Sequence, residues 1–151
     1  WAATAMTNSA IITTLLVTPY LVACMLHLDR TMGGRVGLGL VFLFAALGHF
    51  LKTEVMMAML PPWVPARRSL IYLSGVVEVL FAVAVLALPN PSYLGWTIIL
   101  YLIAIFPANV YAASQRVPFG AHSIGLRYLF IRFPLQLVLI LWAYWFLIKP
   151  D

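Results

Sequence analysis

The stretch LIYLSGVVEVLFAVAVLAL, Leu70–Leu88, is the strongest evidence for the fold because it is long, apolar and carries a single charged residue, Glu78. About 20 apolar residues in a helix cross the ~30 Å hydrocarbon core of a bilayer. A carboxylate near the centre of such a helix is costly when it faces lipid, so it faces a bundle interior, a partner or a cavity. The stretch therefore predicts a membrane-spanning helix with Glu78 directed inward.

The composition of the whole chain agrees with a membrane protein. Of its 151 residues, 64% are hydrophobic and 9% are charged, whereas a soluble domain has about 25% charged residues. The net charge of +5 comes from basic residues in short connections between apolar runs, a pattern that favours anionic lipid headgroups over nucleic acid. We expect membrane lipids and other membrane-protein subunits as partners, and no nucleic acid.

Five apolar runs of spanning length follow one another along the chain. Lipid cannot satisfy open strand edges, so each run is expected to be a helix. The predicted fold class is an all-α membrane protein with five spans, at Ala10–Leu28, Val36–Leu51, Leu70–Leu88, Tyr93–Ala113 and Ser123–Ile148. Within the longest connection, Glu54–Leu60 is either an interfacial amphipathic helix stopped by Pro61-Pro62 or an ordinary loop anchored by Trp63.

The connections differ in charge on the two membrane sides. We call the side that holds the N-terminus side A. Its connections carry Lys52, Arg67, Arg68, Arg116 and Arg127, and those of side B carry Arg30, Arg35 and Lys149. This excess favours side A as the cytoplasm or matrix, in a bacterial cytoplasmic membrane or a mitochondrial inner membrane. An aromatic belt is predicted near side B, made of Tyr93, Trp96, Trp142, Tyr144 and Trp145.

Polar residues inside the spans share one membrane half with Glu78. They come from four helices and predict an inward-facing pocket open to side A, with Glu78 as its floor and Arg132 or His49 as its counter-charge. Ser74 and Gly75 add a small stripe along which another helix can approach closely. The candidate pocket residues are His49, Ser74, Glu78, Tyr101, Asn109, Arg132 and Gln136.

Two interpretations of this pocket remain open. In one, Glu78 is neutral or paired with Arg132, and the polar network fixes the register of the helices. In the other, Glu78 and His49 form a proton-coupled site in which Tyr101 and Asn109 orient a quinone-like head group. No spacing of His or Cys indicates a metal or haem site, so a bound quinone or lipid is the only cofactor considered. Gly33-x-x-x-Gly37 is interpreted as a poor helix-contact signal, because Gly33 lies near a predicted loop.

Several short sequence words occur in an order that resembles the DoxX-like family of small membrane proteins. They are Gly48-His49-Phe50, the stretches 60–65 (LPPWVP), 74–78 (SGVVE) and 106–111 (FPANVY), and 132–136 (RFPLQ). The resemblance covers about Arg35–Phe146. It implies a four-helix transmembrane bundle made from the last four spans and places His49, Glu78, Asn109 and Gln136 at motif positions.

The resemblance also implies a division of the chain. Residues 1–34 would be an N-terminal extension with an extra transmembrane helix, and residues 35–151 the DoxX-like four-helix domain. The family takes its name from a small subunit of an archaeal quinol oxidase, also described as a thiosulfate:quinone oxidoreductase.

Three functional hypotheses follow. The first, which we prefer at this stage, is a subunit without catalytic activity of its own in a larger membrane complex, of the respiratory or electron-transport kind. The second is a quinone-linked oxidoreductase component that uses the pocket around Glu78. The third is an assembly factor that associates transiently with another membrane protein. No catalytic residue is assigned.

Overall fold

A computed structural model describes residues 2–119 and 122–149 of the chain. Over these residues it contains helices and no strands, and five of the helices are long and apolar enough to cross a membrane. The prediction of an all-helical protein with five apolar spans is confirmed. The helices are α1 (Ala2–Met25), α2 (Arg30–Leu51), α3 (Thr53–Met57), α4 (Arg67–Ala87), α5 (Ser92–Ser114) and α6 (Leu129–Ala143).

Local hydrogen bonding accounts for where the first two helices end and begin. The α1 helix stops at Met25 rather than at Leu28, because the chain turns at His27 with φ of 53°. The α2 helix begins at Arg30 rather than at Val36, because Asp29 caps it by accepting bonds from the backbone N–H of Thr31 (2.8 Å) and Met32 (3.1 Å). The predicted bounds, based on hydropathy alone, were wrong at these two points.

The connection between α2 and α4 contains a short helix. Thr53–Met57 forms α3, which ends before Pro61 and pairs Glu54 with Arg68 of α4. The helical alternative for this connection is thus the correct one, although the helix is shorter than the predicted Glu54–Leu60. Trp63 follows it with an exposed side chain.

The last span is not one uniform helix. A 3₁₀ helix over His122–Tyr128 precedes α6, and a π-helical turn over Tyr144–Ile148 follows it. Gly125 has φ of 81°, a conformation that favours glycine and interrupts the helix. The predicted run Ser123–Ile148 has the right extent, but its hydropathy pattern contains no sign of these three helical forms.

Close backbone packing joins α1 to α2. A Cβ placed on Gly33 would lie 2.7 Å from Cβ of Ala23, and one on Gly37 would overlap the carbonyl oxygen of Leu16. Gly33 and Gly37 both lie inside α2, so their spacing marks a helix contact and the earlier interpretation of a poor signal was wrong. Through this contact Leu16 of α1 becomes fully buried in the main apolar core.

Arg35 lies in the interior and not in a connection. Its side chain is buried within α2, and it donates hydrogen bonds to the carbonyl oxygens of Leu88 (3.3 Å) and Phe146 (3.4 Å). Leu88 caps the C-terminus of α4, where unpaired carbonyls and the helix dipole favour a cation. The assignment of Arg35 to a side B connection was wrong.

The aromatic belt near side B is also only partly as predicted. Tyr93, Trp96 and Trp145 expose their rings. Trp142 is half-buried and donates a hydrogen bond from its indole N–H to the carbonyl oxygen of Gly34, at 2.9 Å. Its ring therefore helps to hold α6 against α2 rather than anchoring the protein to headgroups.

Candidate functional site

Glu78 faces the interior of the helix bundle, as its charge predicts. Its side chain is 3% exposed. The hydroxyl of Tyr101 on α5 donates a hydrogen bond to Oε1 of Glu78 at 2.9 Å, and Nε2 of His49 on α2 lies 3.3 Å from Oε2. Three candidate residues from three helices therefore meet at one carboxylate.

Gly75 explains how His49 comes so near to Glu78. A Cβ placed on Gly75 would lie 2.9 Å from Cβ of His49 and 3.0 Å from the ring of Phe50. Because Gly75 has no side chain, α2 and α4 approach closely, and they form the most extensive helix pair of the described chain. The predicted close approach at this stripe is confirmed.

The partner of the carboxylate is His49 and not Arg132. Arg132 makes no ion pair with Glu78 among the described residues. The alternative in which Glu78 pairs with Arg132 to fix the register of the helices was therefore wrong. The His49 contact has the distance of an ion pair, but its orientation does not make a hydrogen bond, and Oε2 of Glu78 has no hydrogen-bond partner. One oxygen of the buried carboxylate is thus satisfied by Tyr101, and the other is not.

Gln136 connects α6 to the same region. Its side chain is 3% exposed, and its Nε2 donates a hydrogen bond of 2.5 Å to the carbonyl oxygen of Leu102, next to Tyr101 in sequence. Its Oε1 is buried without a hydrogen-bond partner. Gln136 therefore brings a second unpartnered acceptor to this membrane half.

Ser74 and Asn109 bond to their own helices rather than to Glu78. The Ser74 hydroxyl donates to the carbonyl oxygen of Leu70 at 2.9 Å, and Nδ2 of Asn109 donates to that of Ile105 at 3.2 Å. Such bonds to the preceding turn are an ordinary way to satisfy polar side chains in membrane helices. Asn109 is not part of the contact group around the carboxylate, whereas the Ser74 hydroxyl also lies beside the hydroxyl of Tyr101.

His122 is a buried polar residue that the sequence analysis did not place in the pocket. Its side chain is 4% exposed, its Nδ1 lies 2.7 Å from the carbonyl oxygen of Phe119, and its ring centroid is 4.6 Å from that of Tyr128. Its Nε2 is buried without a partner. Sequence reasoning tested His122 only for metal spacing, whereas its position at the side A end of the last span, near Arg132, was the useful signal.

Five buried side-chain atoms in the described structure have no hydrogen-bond partner, and they come from four helical segments. Buried polar atoms are costly unless they form hydrogen bonds, and the large majority of buried side-chain polar atoms in proteins do form them. Here the unpartnered atoms include both acceptors and donors, so a polar head group or ordered water would satisfy them. They are His49 Nδ1, Glu78 Oε2, His122 Nε2, Arg132 Nε and Gln136 Oε1.

An open groove lies close to this region at side A. It has a volume of about 230 Å³, and its lining includes Phe50, Thr53 and Tyr72 but not Glu78. Phe50 directly follows His49, and the two rings of Phe50 and Tyr72 stack with centroids 6.1 Å apart. The groove is thus a neighbour of the carboxylate site and not the site itself.

A family model described as "Domain of unknown function (DUF8561)" matches residues 38–147. The chain belongs to this family. The match covers most of the chain and leaves α1 outside. All the atoms without partners that are described above lie inside the DUF8561 region. No curated protein and no solved structure matches the chain.

Proposed function

We propose that this DUF8561 protein binds a small polar head group of the quinone class in the membrane, at the site formed by Glu78, His49 and Tyr101. One observation carries the proposal: Oε2 of Glu78, Nδ1 of the adjoining His49 and Oε1 of Gln136 are buried without hydrogen-bond partners. If the network served only to fix helix register, its members would be expected to satisfy one another.

The chemistry of the unpartnered atoms supports a head group that can both accept and donate. The carbonyl oxygens of a quinone accept from a donor such as a protonated Nδ1 of His49, and the hydroxyls of a quinol donate to acceptors such as Oε2 of Glu78 and Oε1 of Gln136. A bound quinone would supply the redox chemistry, since the chain itself has one cysteine and no cysteine pair. The chain's own residues would orient the head group, and His49 beside Glu78 provides a place to hold a proton.

The test is a binding titration of a short-chain ubiquinone analogue with the full-length protein in detergent. Quenching of tryptophan fluorescence measures the binding. We expect saturable binding by the unchanged protein and at least about tenfold weaker binding by Glu78→Gln, because a hydrogen bond to a charged group is worth on the order of 1.5–3 kcal/mol. The substitution keeps an oxygen that can accept from Tyr101 and leaves the shape of the side chain almost unchanged.

A matched control is Glu54→Gln. Glu54 is the acidic residue of the exposed ion pair with Arg68, so this variant also loses one negative charge but does so away from the carboxylate site. Equal affinity of the two variants, or no saturable binding by the unchanged protein, would contradict the proposal that the carboxylate site binds a quinone head group.

A second candidate function is that of a subunit without its own activity in a larger membrane complex of the respiratory kind. The outer face of α1 favours it: only 11% of its spanning window is buried, and Thr14 and Thr18 lie exposed on it. Hydroxyl side chains on a membrane helix are typical of helix–helix interfaces. Gentle solubilisation and a native gel test this, and migration as a small free protein would contradict it.

The DoxX-like architecture is likewise a proposal. Its support is that α2, α4, α5 and α6 carry four of the five sequence words of the resemblance, and that His49 and Glu78 from two of those words are in contact. The division into residues 1–34 and 35–151 remains a prediction, and Leu16 of α1 packs in the same apolar core as the other helices. Superposition of an experimental structure on a DoxX-like bundle is the measurement that decides it.

A further inference from the structure

Two basic side chains lie near the start of the last span at side A. His122 opens the 3₁₀ helix, and Arg132 lies one turn inside α6. The ring of His122 packs against Tyr128, with centroids 4.6 Å apart, and Arg132 lies one helical turn after Tyr128, on the same side of the segment. They belong to consecutive helical segments joined at Tyr128, so the cluster is a local feature of this span.

Both side chains present a buried nitrogen that bonds to nothing in the described structure. These are Nε2 of His122, a residue with 4% exposure, and Nε of Arg132. The Nδ1 atom of His122 lies 2.7 Å from the carbonyl oxygen of Phe119. If Nδ1 carries a proton it donates there, and Nε2 is then free to donate in the doubly protonated ring.

The carboxylate of Glu78 does not fill this role. It makes no ion pair with Arg132 among the described residues, while Tyr101 bonds to its Oε1 and His49 lies beside its Oε2. A guanidinium in the membrane without a direct anionic partner is costly, which favours an anion from outside the chain.

A further guanidinium adds positive charge at the same place. Nε of Arg116 would lie 3.3 Å from a Cβ placed on Gly125, so its side chain lies against the 3₁₀ helix that His122 opens. Guanidinium groups pair with phosphate through parallel N–H donors. The fixed charges around this segment thus suit a phosphate group better than a neutral ligand.

We propose that His122 and Arg132 bind a phosphate group at the side A end of the last span, a second site separate from the one around Glu78. The phosphate group would lie toward the side A end of the span, which begins at His122. The phosphate can belong to a phospholipid or be free in solution, and the two sources are distinguished below. This site does not depend on whether a quinone binds at Glu78.

The experiment is native mass spectrometry of the full-length protein in detergent with added lipids of identical acyl chains. We expect phosphatidic acid to remain bound and diacylglycerol, which lacks the phosphate, not to. Arg132→Gln should weaken phosphatidic acid binding at least about tenfold, because it removes a charge-assisted bond. Arg127→Gln is the matched control, since Arg127 is in the same segment but is exposed.

Inorganic phosphate provides the second arm. If it displaces phosphatidic acid from the unchanged protein at equal concentration, the site takes free phosphate; if it does not, the site takes the lipid headgroup. Either result supports a phosphate site. The proposal of a phosphate site would be overturned if diacylglycerol were retained as well as phosphatidic acid. It would also be overturned if Arg127→Gln and Arg132→Gln lost phosphatidic acid binding equally.

Two further variants keep the test decisive if Arg132→Gln does not fold. Arg132→Lys retains the charge but loses the Nε donor, and His122→Gln retains a polar side chain but loses the imidazole Nε2. Each is expected to weaken phosphatidic acid binding by a smaller factor while the helix content measured by circular dichroism is unchanged. Unchanged binding in both variants contradicts the proposal.

Discussion

At the scale of single residues, the buried charges divide into those that the chain satisfies and those that it leaves open. Glu78 receives one hydrogen bond, from Tyr101, and leaves its other oxygen without one. Arg35 is different, because it donates to two backbone carbonyls at the opposite end of the molecule. Glu78 thus has capacity left for a ligand, and Arg35 has the contacts of a structural residue.

Replacement of Arg35 should therefore affect stability. Arg35→Met keeps most of the side-chain volume but leaves the carbonyl oxygens of Leu88 and Phe146 without this donor. We expect the free energy of unfolding to fall by about 1–3 kcal/mol, the usual penalty for buried groups left unpaired. Titration with sodium dodecyl sulfate from mixed micelles measures it.

The control for Arg35 lies at the start of the same helix. Arg30 is exposed, so Arg30→Met should change the free energy of unfolding by no more than about 0.5 kcal/mol. If both variants lose the same stability, net charge and not the bonds of Arg35 is responsible.

The inward direction of Glu78 was predictable because the cost of exposing a carboxylate to lipid depends only on its position in an apolar run. That His49 rather than Arg132 lies next to Glu78 was not predictable. This contact depends on the approach of α2 to α4 at Gly75 and on side-chain rotamers, which a single sequence does not specify. His122 and Arg35 were missed for a similar reason: each residue reads as part of a connection until the helix bounds are known.

At the scale of helices, the spans were predicted well in number and poorly at their ends. Length and hydropathy are sufficient to recognise a helix that crosses the bilayer. The ends depend on individual capping residues such as Asp29, and the irregular last span depends on the positive φ of Gly125. The packing of α1 against α2 was also not predicted, because it depends on Gly33 and Gly37, and the sequence analysis placed Gly33 near a loop rather than inside α2.

The contact between α1 and α2 can be tested with two glycines of one helix. Gly37→Ala would push a Cβ into the backbone carbonyl of Leu16, which cannot move aside as a flexible side chain could. We expect a loss of about 1–3 kcal/mol in the free energy of unfolding, typical of overpacking. The measurement is again titration with sodium dodecyl sulfate.

Gly48 supplies the comparison for Gly37. A Cβ at Gly48 would have no neighbour within 4 Å, so Gly48→Ala should be neutral or more stable by up to about 1 kcal/mol, from the better helix propensity of alanine. A stability loss in Gly48→Ala as large as that in Gly37→Ala would show that close packing against α1 is not the cause.

At the scale of the whole molecule, the interior position of Arg35 changes the charge argument for orientation. Topology follows the Lys and Arg residues of connections near the membrane ends. With Arg35 buried in α2, side B retains only Arg30 and Lys149, while side A keeps all five of its basic residues. The structure therefore strengthens the prediction that side A faces the cytoplasm or matrix.

Cysteine labelling tests this orientation, because the chain has one native cysteine, Cys24, which can be removed as Cys24→Ser. In that background, Gln115→Cys places a thiol at the side A end of α5, and Asn90→Cys places one on side B before its start; both positions are exposed. In sealed vesicles whose outer face is the extracellular face, or the intermembrane-space face, an impermeant maleimide should label Asn90→Cys at once. It should label Gln115→Cys only after detergent is added, because the bilayer separates the two ends of α5. Labelling in the reverse order would mean that side A faces outward, and labelling of both positions without detergent would mean that α5 does not cross the membrane.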